Sequence, residues 1–94
     1  MSFDVQYSEE AVEQLKRLRR FDQVAILDQI EKMLRINPTL VSKAKIKLLR
    51  QPAPTQYRLR IRDFRVYYDV DGPMVRILQI LSKEDSIGYL GETS

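Results

Sequence analysis

The chemistry in this chain has to come from arginine, lysine and tyrosine. The 94 residues contain no histidine and no cysteine. That removes the commonest general base at neutral pH, the commonest metal ligand, and every disulfide or thiolate zinc site. No cluster of residues has metal-ligand spacing, and no glycine-rich phosphate loop appears, so neither metal nor cofactor is expected. The basic residues are concentrated. Eight lie between positions 43 and 65 (Lys43, Lys45, Lys47, Arg50, Arg58, Arg60, Arg62 and Arg65), and Asp63 is the only acid among them. The first forty residues are nearly balanced, with six basic and seven acidic. A net charge of +3 therefore conceals a strongly positive middle. Such a segment suits a polyanion, either nucleic acid or an acidic protein segment. A merely solvated basic face is the competing reading.

The alternation around these residues says what positions them. Tyr57, Leu59 and Ile61 alternate with Arg58, Arg60 and Arg62, the period of a strand with one buried face. After a turn near Arg62-Asp63, Phe64, Val66, Tyr68 and Val70 alternate with Arg65, Tyr67 and Asp69. Placing Ile61 and Phe64 on either side of the turn keeps both on the buried face. That register pairs Leu59 with Val66, Tyr57 with Tyr68, Arg58 with Tyr67 and Arg60 with Arg65. A second turn at Asp71-Gly72 then brings Arg76 opposite Tyr67. The predicted outer face carries Arg58, Arg60, Arg65 and Arg76 around Tyr67. Like charges directly opposite across strands are destabilising. A sheet that sets Arg60 against Arg65 is expected to hold an anion between them, and an aromatic among arginines suits a base as well as a phosphate.

The rest of the chain reads as scaffold. Phe3, Val5 and Tyr7 lie on one side of an opening strand. Ser8 is a good N-cap for a helix with Glu9 and Glu10 in its first turn and Ala11, Leu15 and Leu18 on its apolar face. Asp22 is expected to cap a second helix, joined at Arg20–Asp22 into an antiparallel hairpin. Its apolar positions are Ile26, Ile30, Met33 and Leu34, and Asn37-Pro38 stops it. The stretch from Thr39 to Pro54 reads as a strand, a helical turn or an ordered loop. Met74 to Leu81 is almost continuously apolar, as in a central strand covered on both faces. Ser82 can cap a last short helix that reaches Tyr89-Leu90.

The predicted order is β-α-α-β-β-β-α. The fold class is α+β, with a helix pair on a mainly antiparallel four-stranded sheet and a short C-terminal helix. Residues 1–94 are expected to form one domain. No apolar run approaches the ~20 residues that span a bilayer, and the N-terminus lacks signal-peptide features. A cytoplasmic protein with no membrane partner is the expectation.

Two stretches resemble the RelE/ParE superfamily of type II toxin–antitoxin toxins. The segment Tyr57-Arg58-Leu59-Arg60-Ile61-Arg62-Asp63-Phe64-Arg65-Val66-Tyr67-Tyr68 is similar to its hairpin motif of an aromatic, alternating basic residues, a turn, then aromatic-Arg-aliphatic-x-Tyr. Ile80-Leu81-Ser82-Lys83 with Tyr89 resembles its closing strand, basic residue and tyrosine. The more generic opening, Val5 to Ala11 with Leu15 and Leu18, is also similar, so the likeness covers about residues 3 to 90.

The resemblance implies a ribosome-dependent endoribonuclease (an mRNA interferase) that cuts mRNA in the A site by attack of a 2′-hydroxyl on the adjacent phosphate. Implied partners are an antitoxin whose acidic segment wraps the basic surface, the ribosome with its mRNA, and operator DNA through the antitoxin alone. The implied catalytic set is Arg60, Arg65, Lys83 and Tyr89. Arg58, Lys45, Lys47, Tyr67 and Arg76 are the RNA- and phosphate-binding set. In this reading Arg65 and Arg58 hold phosphates and Arg60 stabilises the transition state. Lys83 transfers protons, and Tyr89 stacks on a base or orients the 2′-hydroxyl. Family members often have lysine at the Arg60 position and arginine at the Lys83 position, which leaves the acid and base roles open. The alternatives are a ParE-like inhibitor of DNA gyrase and a non-catalytic module that acts with its antitoxin on operator DNA.

Overall fold

The computed structural model describes residues 2–90 of the chain. Strand β1 is Asp4–Tyr7, helix α1 is Glu9–Lys16 and helix α2 is Arg20–Gln29. A π-helical turn, Ile30–Leu34, extends α2. Strands β2 (Ile46–Leu48), β3 (Tyr57–Ile61), β4 (Phe64–Asp71) and β5 (Met74–Ser82) follow, and helix α3 is Lys83–Leu90. The expected four-stranded sheet is a five-stranded one, ordered β1-β5-β4-β3-β2. Only the β1–β5 pair is parallel. The additional strand is β2, three residues at the sheet edge from the stretch whose structure the sequence left open.

One apolar cluster holds the layers together. Ala11 of α1 and Ile26, Ile30 and Leu34 of the second helix meet Leu59, Ile61, Val66, Tyr68, Val75, Ile77 and Ile80 from the sheet. Each buried valine, leucine or isoleucine side chain contributes about 1.5–3 kcal/mol on full burial. Tyr68 brings a hydroxyl into this core, and it donates to the Pro38 carbonyl at 2.6 Å. That bond ties the loop after the second helix to the middle of β4.

Helix α1 begins where the sequence places it. The Ser8 hydroxyl accepts from Ala11 N–H at 3.0 Å and donates to Leu78 O at 2.9 Å. The second helix begins earlier than expected. Arg19 occupies the N-cap with no side-chain cap bond. Asp22 therefore lies inside the first turn rather than at the cap, where its charge still opposes the positive end of the helix dipole. The join is Arg17–Arg19, and Gln23 reaches back to donate to Leu18 O at 2.9 Å.

Beyond Tyr7 the edge of β5 loses its strand neighbour, and α1 supplies the missing partners. Ser8 N–H donates to Ile77 O, and the Gln14 side chain accepts from Ile80 N–H at 2.6 Å. Between these contacts β5 carries a bulge, since Tyr68 pairs with Ile77 while Tyr67 pairs with Gln79. The extra residue is Leu78. Among the described residues no helix is long and apolar enough to cross a membrane.

Candidate nucleic-acid interface

The β3–β4 hairpin has the register its alternation dictates. Ile61 pairs with Phe64, Arg60 with Arg65, Leu59 with Val66, Arg58 with Tyr67 and Tyr57 with Tyr68. Leu59, Val66 and Tyr68 face the helices, so Arg58, Arg60, Arg65 and Tyr67 face the other way. Strand β2 extends this face. Lys47 pairs with Arg58, and Arg60 N–H donates to Lys45 O at 2.9 Å. Two rungs result. One runs Lys47, Arg58, Tyr67, Gln79, and the other runs Arg60, Arg65, Leu81, with Lys45 beside Arg60.

The second hairpin departs from expectation. Its turn is Gly72-Pro73 rather than Asp71-Gly72, so Arg76 lies opposite Asp69 and not Tyr67. Gly72 has φ of +58° and Pro73 follows it. This pattern suits a tight hairpin whose first turn residue needs positive φ and whose second tolerates proline. The alternative would have put Pro73 into the ladder without an N–H. Arg76 pairs with Asp71 at 3.4 Å and is not part of the arginine cluster.

The cluster lacks counter-charges. Among the described residues, no carboxylate lies within 4.0 Å of a charged nitrogen of Lys45, Lys47, Arg58, Arg60 or Arg65, whereas Arg19, Lys32, Arg35, Arg62 and Arg76 each have one. Asp69, the nearest acid on β4, is engaged elsewhere and accepts from Gln56 N–H at 2.7 Å. Arg65 turns one guanidinium nitrogen back onto the hairpin turn, donating to Arg62 O and Phe64 O at 3.0 Å each.

Arg58 is the most demanding member. It is half-buried, and its Nε is buried without a hydrogen-bond partner. Burial first, and then the charge of Arg65, hold its guanidinium below the usual arginine range; Tyr67 opposes them, and Arg60 adds a lesser lowering effect. An arginine remains protonated under such conditions. A buried donor left unsatisfied costs about 1–3 kcal/mol. An anion lying between Arg60 and Arg65 relieves their like-charge penalty, whereas the Arg58 Nε is closed to solvent and stays unsatisfied.

Helix α3 folds over this same face. The ring centroids of Tyr89 and Tyr67 are 4.9 Å apart, with planes tilted by 54°. Tyr67 is 1% exposed in consequence, so its ring is closed to a stacking base and supports Tyr89 instead. Burial, then the Asp69 carboxylate, push the Tyr89 phenol above its ordinary range, while the neighbouring Thr55 hydroxyl opposes them. Lys83 opens α3 with its side chain exposed and its N–H donated to Asp63 O at 2.7 Å. At 1.5 Å rise per residue, Lys83 and Tyr89 stand about 9 Å apart along the helix axis. Tyr89 lies over Tyr67, and Lys83 directly follows Ser82, which pairs with Phe64 beside the β3–β4 turn.

The sequence-derived candidates thus fall into four places. Lys45, Lys47, Arg58, Arg60 and Arg65 share the sheet face. Lys83 and Tyr89 arrive on α3. Tyr67 is buried beneath Tyr89, and Arg76 lies apart with Asp71. Sequence reasoning missed Gln14 and Glu10, which hold the Gln79 side chain beside Tyr67 at 2.6 and 2.9 Å. Polar residues at two adjacent turns of α1 were the only sign of this.

The family model described as the ParE toxin of the type II toxin–antitoxin system parDE matches residues 5–87. No curated protein matches in sequence. Solved structures do match. The RelBE2 toxin–antitoxin complex of Mycobacterium tuberculosis has a chain 21% identical with a TM-score of 0.76, covering 87% of this chain and 99% of its own. The archaeal RelE–RelB complex of Pyrococcus horikoshii gives 23% identity and 0.72, covering 88% and 97%. A variant of the Escherichia coli toxin RelE in the free state gives 15% and 0.72, covering 99% and 98%. At these identities the likeness establishes the shared fold.

Proposed function

Since the chain belongs to the ParE toxin family of type II toxin–antitoxin systems, within the RelE/ParE superfamily, we propose that it acts on RNA, as a ribosome-dependent endoribonuclease that cuts mRNA. The observation that carries this reading is the cation cluster of Arg58, Arg60 and Arg65 on one sheet face, with no carboxylate at ion-pair distance among the described residues. A phosphodiester suits that geometry, because several donors converge where negative charge must sit.

In the reaction the 2′-oxygen attacks the adjacent phosphorus and the bond from phosphorus to the 5′-oxygen breaks. The products are a 2′,3′-cyclic phosphate and a free 5′-hydroxyl. The proton lost from the 2′-hydroxyl balances the one gained by the 5′-oxygen. Arg58 and Arg65 hold the scissile and neighbouring phosphates. Arg60 stabilises the charge that grows on the phosphorane, the kind of preorganised stabilisation that carries much of enzymatic catalysis. Lys83, exposed at the start of α3, is the proton-transfer candidate, and Lys45 and Lys47 hold the flanking backbone. Tyr89 supplies its hydroxyl from the far end of α3. The ribosome supplies alignment, worth several kcal/mol when reacting atoms are held in line. An antitoxin with an acidic segment is the expected partner, in keeping with the RelB-bound relatives.

A second reading rests on the family description itself. ParE-like inhibition of DNA gyrase uses the same fold without RNA chemistry. Expression of the toxin followed by primer-extension mapping of mRNA, beside a gyrase supercoiling assay, separates them. Codon-phased cuts lost in Arg65→Ala support the first. Blocked supercoiling with intact mRNA supports the second.

A further inference from the structure

Arg62 breaks the pattern of its neighbours. It continues the alternation of Arg58 and Arg60, yet its φ is +52°, a region arginine rarely adopts. This conformation carries its side chain away from the cation cluster and onto the helical layer. There the guanidinium lies 4.5 Å from the centre of the Phe21 ring and 3.7 Å from the Asp22 carboxylate. Both partners belong to the first turn of α2. Phe21 is otherwise 64% exposed, so its ring offers Arg62 a face rather than a core position.

The same two-residue turn holds the site by its carbonyls. Arg62 O accepts from the Arg65 guanidinium at 3.0 Å, and Asp63 O accepts from Lys83 N–H at 2.7 Å. One turn therefore fixes a phosphate-facing arginine and the residue that opens α3. Its own side chain reaches the first turn of α2, where Arg62 shares the Asp22 carboxylate with Arg19 at 3.3 Å.

The geometry points to Arg62 as a positioning residue, which anchors the β3–β4 turn to the start of α2 and thereby sets Arg65 and Lys83 relative to Arg58 and Arg60. It touches no substrate. This inference rests on the RNA reading for its catalytic consequence, but its structural part does not. Glycine at position 62 separates the two roles, since it accepts positive φ more readily than arginine and has no side chain to clamp. If only the turn conformation mattered, Arg62→Gly would be harmless.

The test uses the full chain. In ¹H–¹⁵N spectra, Arg62→Gly is expected to shift the Arg65 Nε–H and Lys83 N–H signals while the Val66 and Ile77 amides stay in place. Phe21→Ala and Asp22→Asn, which leave the turn sequence intact, are expected to move the same two signals. Adding Phe21→Ala to Arg62→Gly is expected to move them no further. In the cleavage assay kcat falls on the order of tenfold to a hundredfold with KM little changed, as for misplaced reacting groups, and Arg62→Lys restores part of it. Unmoved Arg65 and Lys83 signals in Phe21→Ala and Asp22→Asn would overturn the proposal, as would full activity of Arg62→Gly. A wild-type chain that cuts no mRNA removes the RNA reading and leaves the spectroscopic result standing by itself.

Discussion

Arg60 faces Arg65 directly across the β3–β4 ladder, and among the described residues neither has a carboxylate within ion-pair distance. A cross-strand like-charge pair opposes folding by about 0.2–1 kcal/mol. On the proposed RNA reading the pair serves binding rather than stability. Replacing Arg60 with threonine is expected to leave thermal stability unchanged or slightly higher, while RNA binding weakens. Thermal unfolding beside filter binding of single-stranded RNA checks both halves. A loss of stability above about 1 kcal/mol would show the arginine to be structural.

The salt dependence of that binding gives a count. Each phosphate contact to single-stranded nucleic acid adds about 0.7 to the slope of log K against log salt. Arg58→Ala, Arg60→Ala and Arg65→Ala are each expected to lower the slope by about that amount. Arg76→Ala is expected to leave it unchanged, because Arg76 is paired with Asp71 and faces Asp69. An equal effect at Arg76 would mean that the binding surface is a diffuse positive field.

Tyr68 is the polar group on which the core depends. It is fully buried, and its hydroxyl reaches Pro38 O at 2.6 Å. Tyr68→Phe leaves that carbonyl unsatisfied and is expected to cost about 1–3 kcal/mol in a denaturant titration. A neutral outcome would mean that water replaces the hydroxyl.

Alkaline pH tests the same residue from another side. Burial, and then the neighbouring Tyr57, raise the Tyr68 phenol above its ordinary value of 10.0. The folded state thus holds this proton more tightly than the unfolded chain does. The associated stability is fully present below pH 10 and is lost as pH rises past it towards the folded value. The unfolding midpoint is expected to fall steeply above about pH 10, and less steeply in Tyr68→Phe. Equal slopes would assign the alkaline loss to other groups.

Tyr89 combines packing with its proposed chemistry, and two substitutions part them. Tyr89→Phe keeps the ring on Tyr67 and is expected to preserve stability while reducing cleavage. Tyr89→Ala uncovers Tyr67 and is expected to cost more than about 0.5–1.5 kcal/mol, the typical worth of an aromatic pair beyond its area. Near-ultraviolet circular dichroism reports the loss of the stack. Unchanged cleavage in Tyr89→Phe would confine the residue to packing.

Much of this arrangement was legible in the sequence for a physical reason. Period-two alternation fixes the face of every strand residue, and one slip would have moved Leu59, Val66 and Tyr68 out of the core. The β3–β4 register was therefore determined before any contact was known. Strand β2 was not, because three residues in a lysine-rich stretch carry no clear period. The β4–β5 register failed at Gly72-Pro73, where both aspartate-glycine and glycine-proline read as turns. Burial of Tyr67 was invisible too, since it depends on α3 returning across the sheet from 22 positions downstream. The clamp on Arg62 depends on a positive φ that no residue pattern announces.

The most direct test is primer-extension mapping of cellular mRNA after expression of the wild-type chain, with Arg65→Ala as the control. The account predicts cuts in phase with codons on translated messages, with products that carry 5′-hydroxyl ends, and their loss in Arg65→Ala. Growth arrest with intact mRNA and blocked gyrase supercoiling would contradict it.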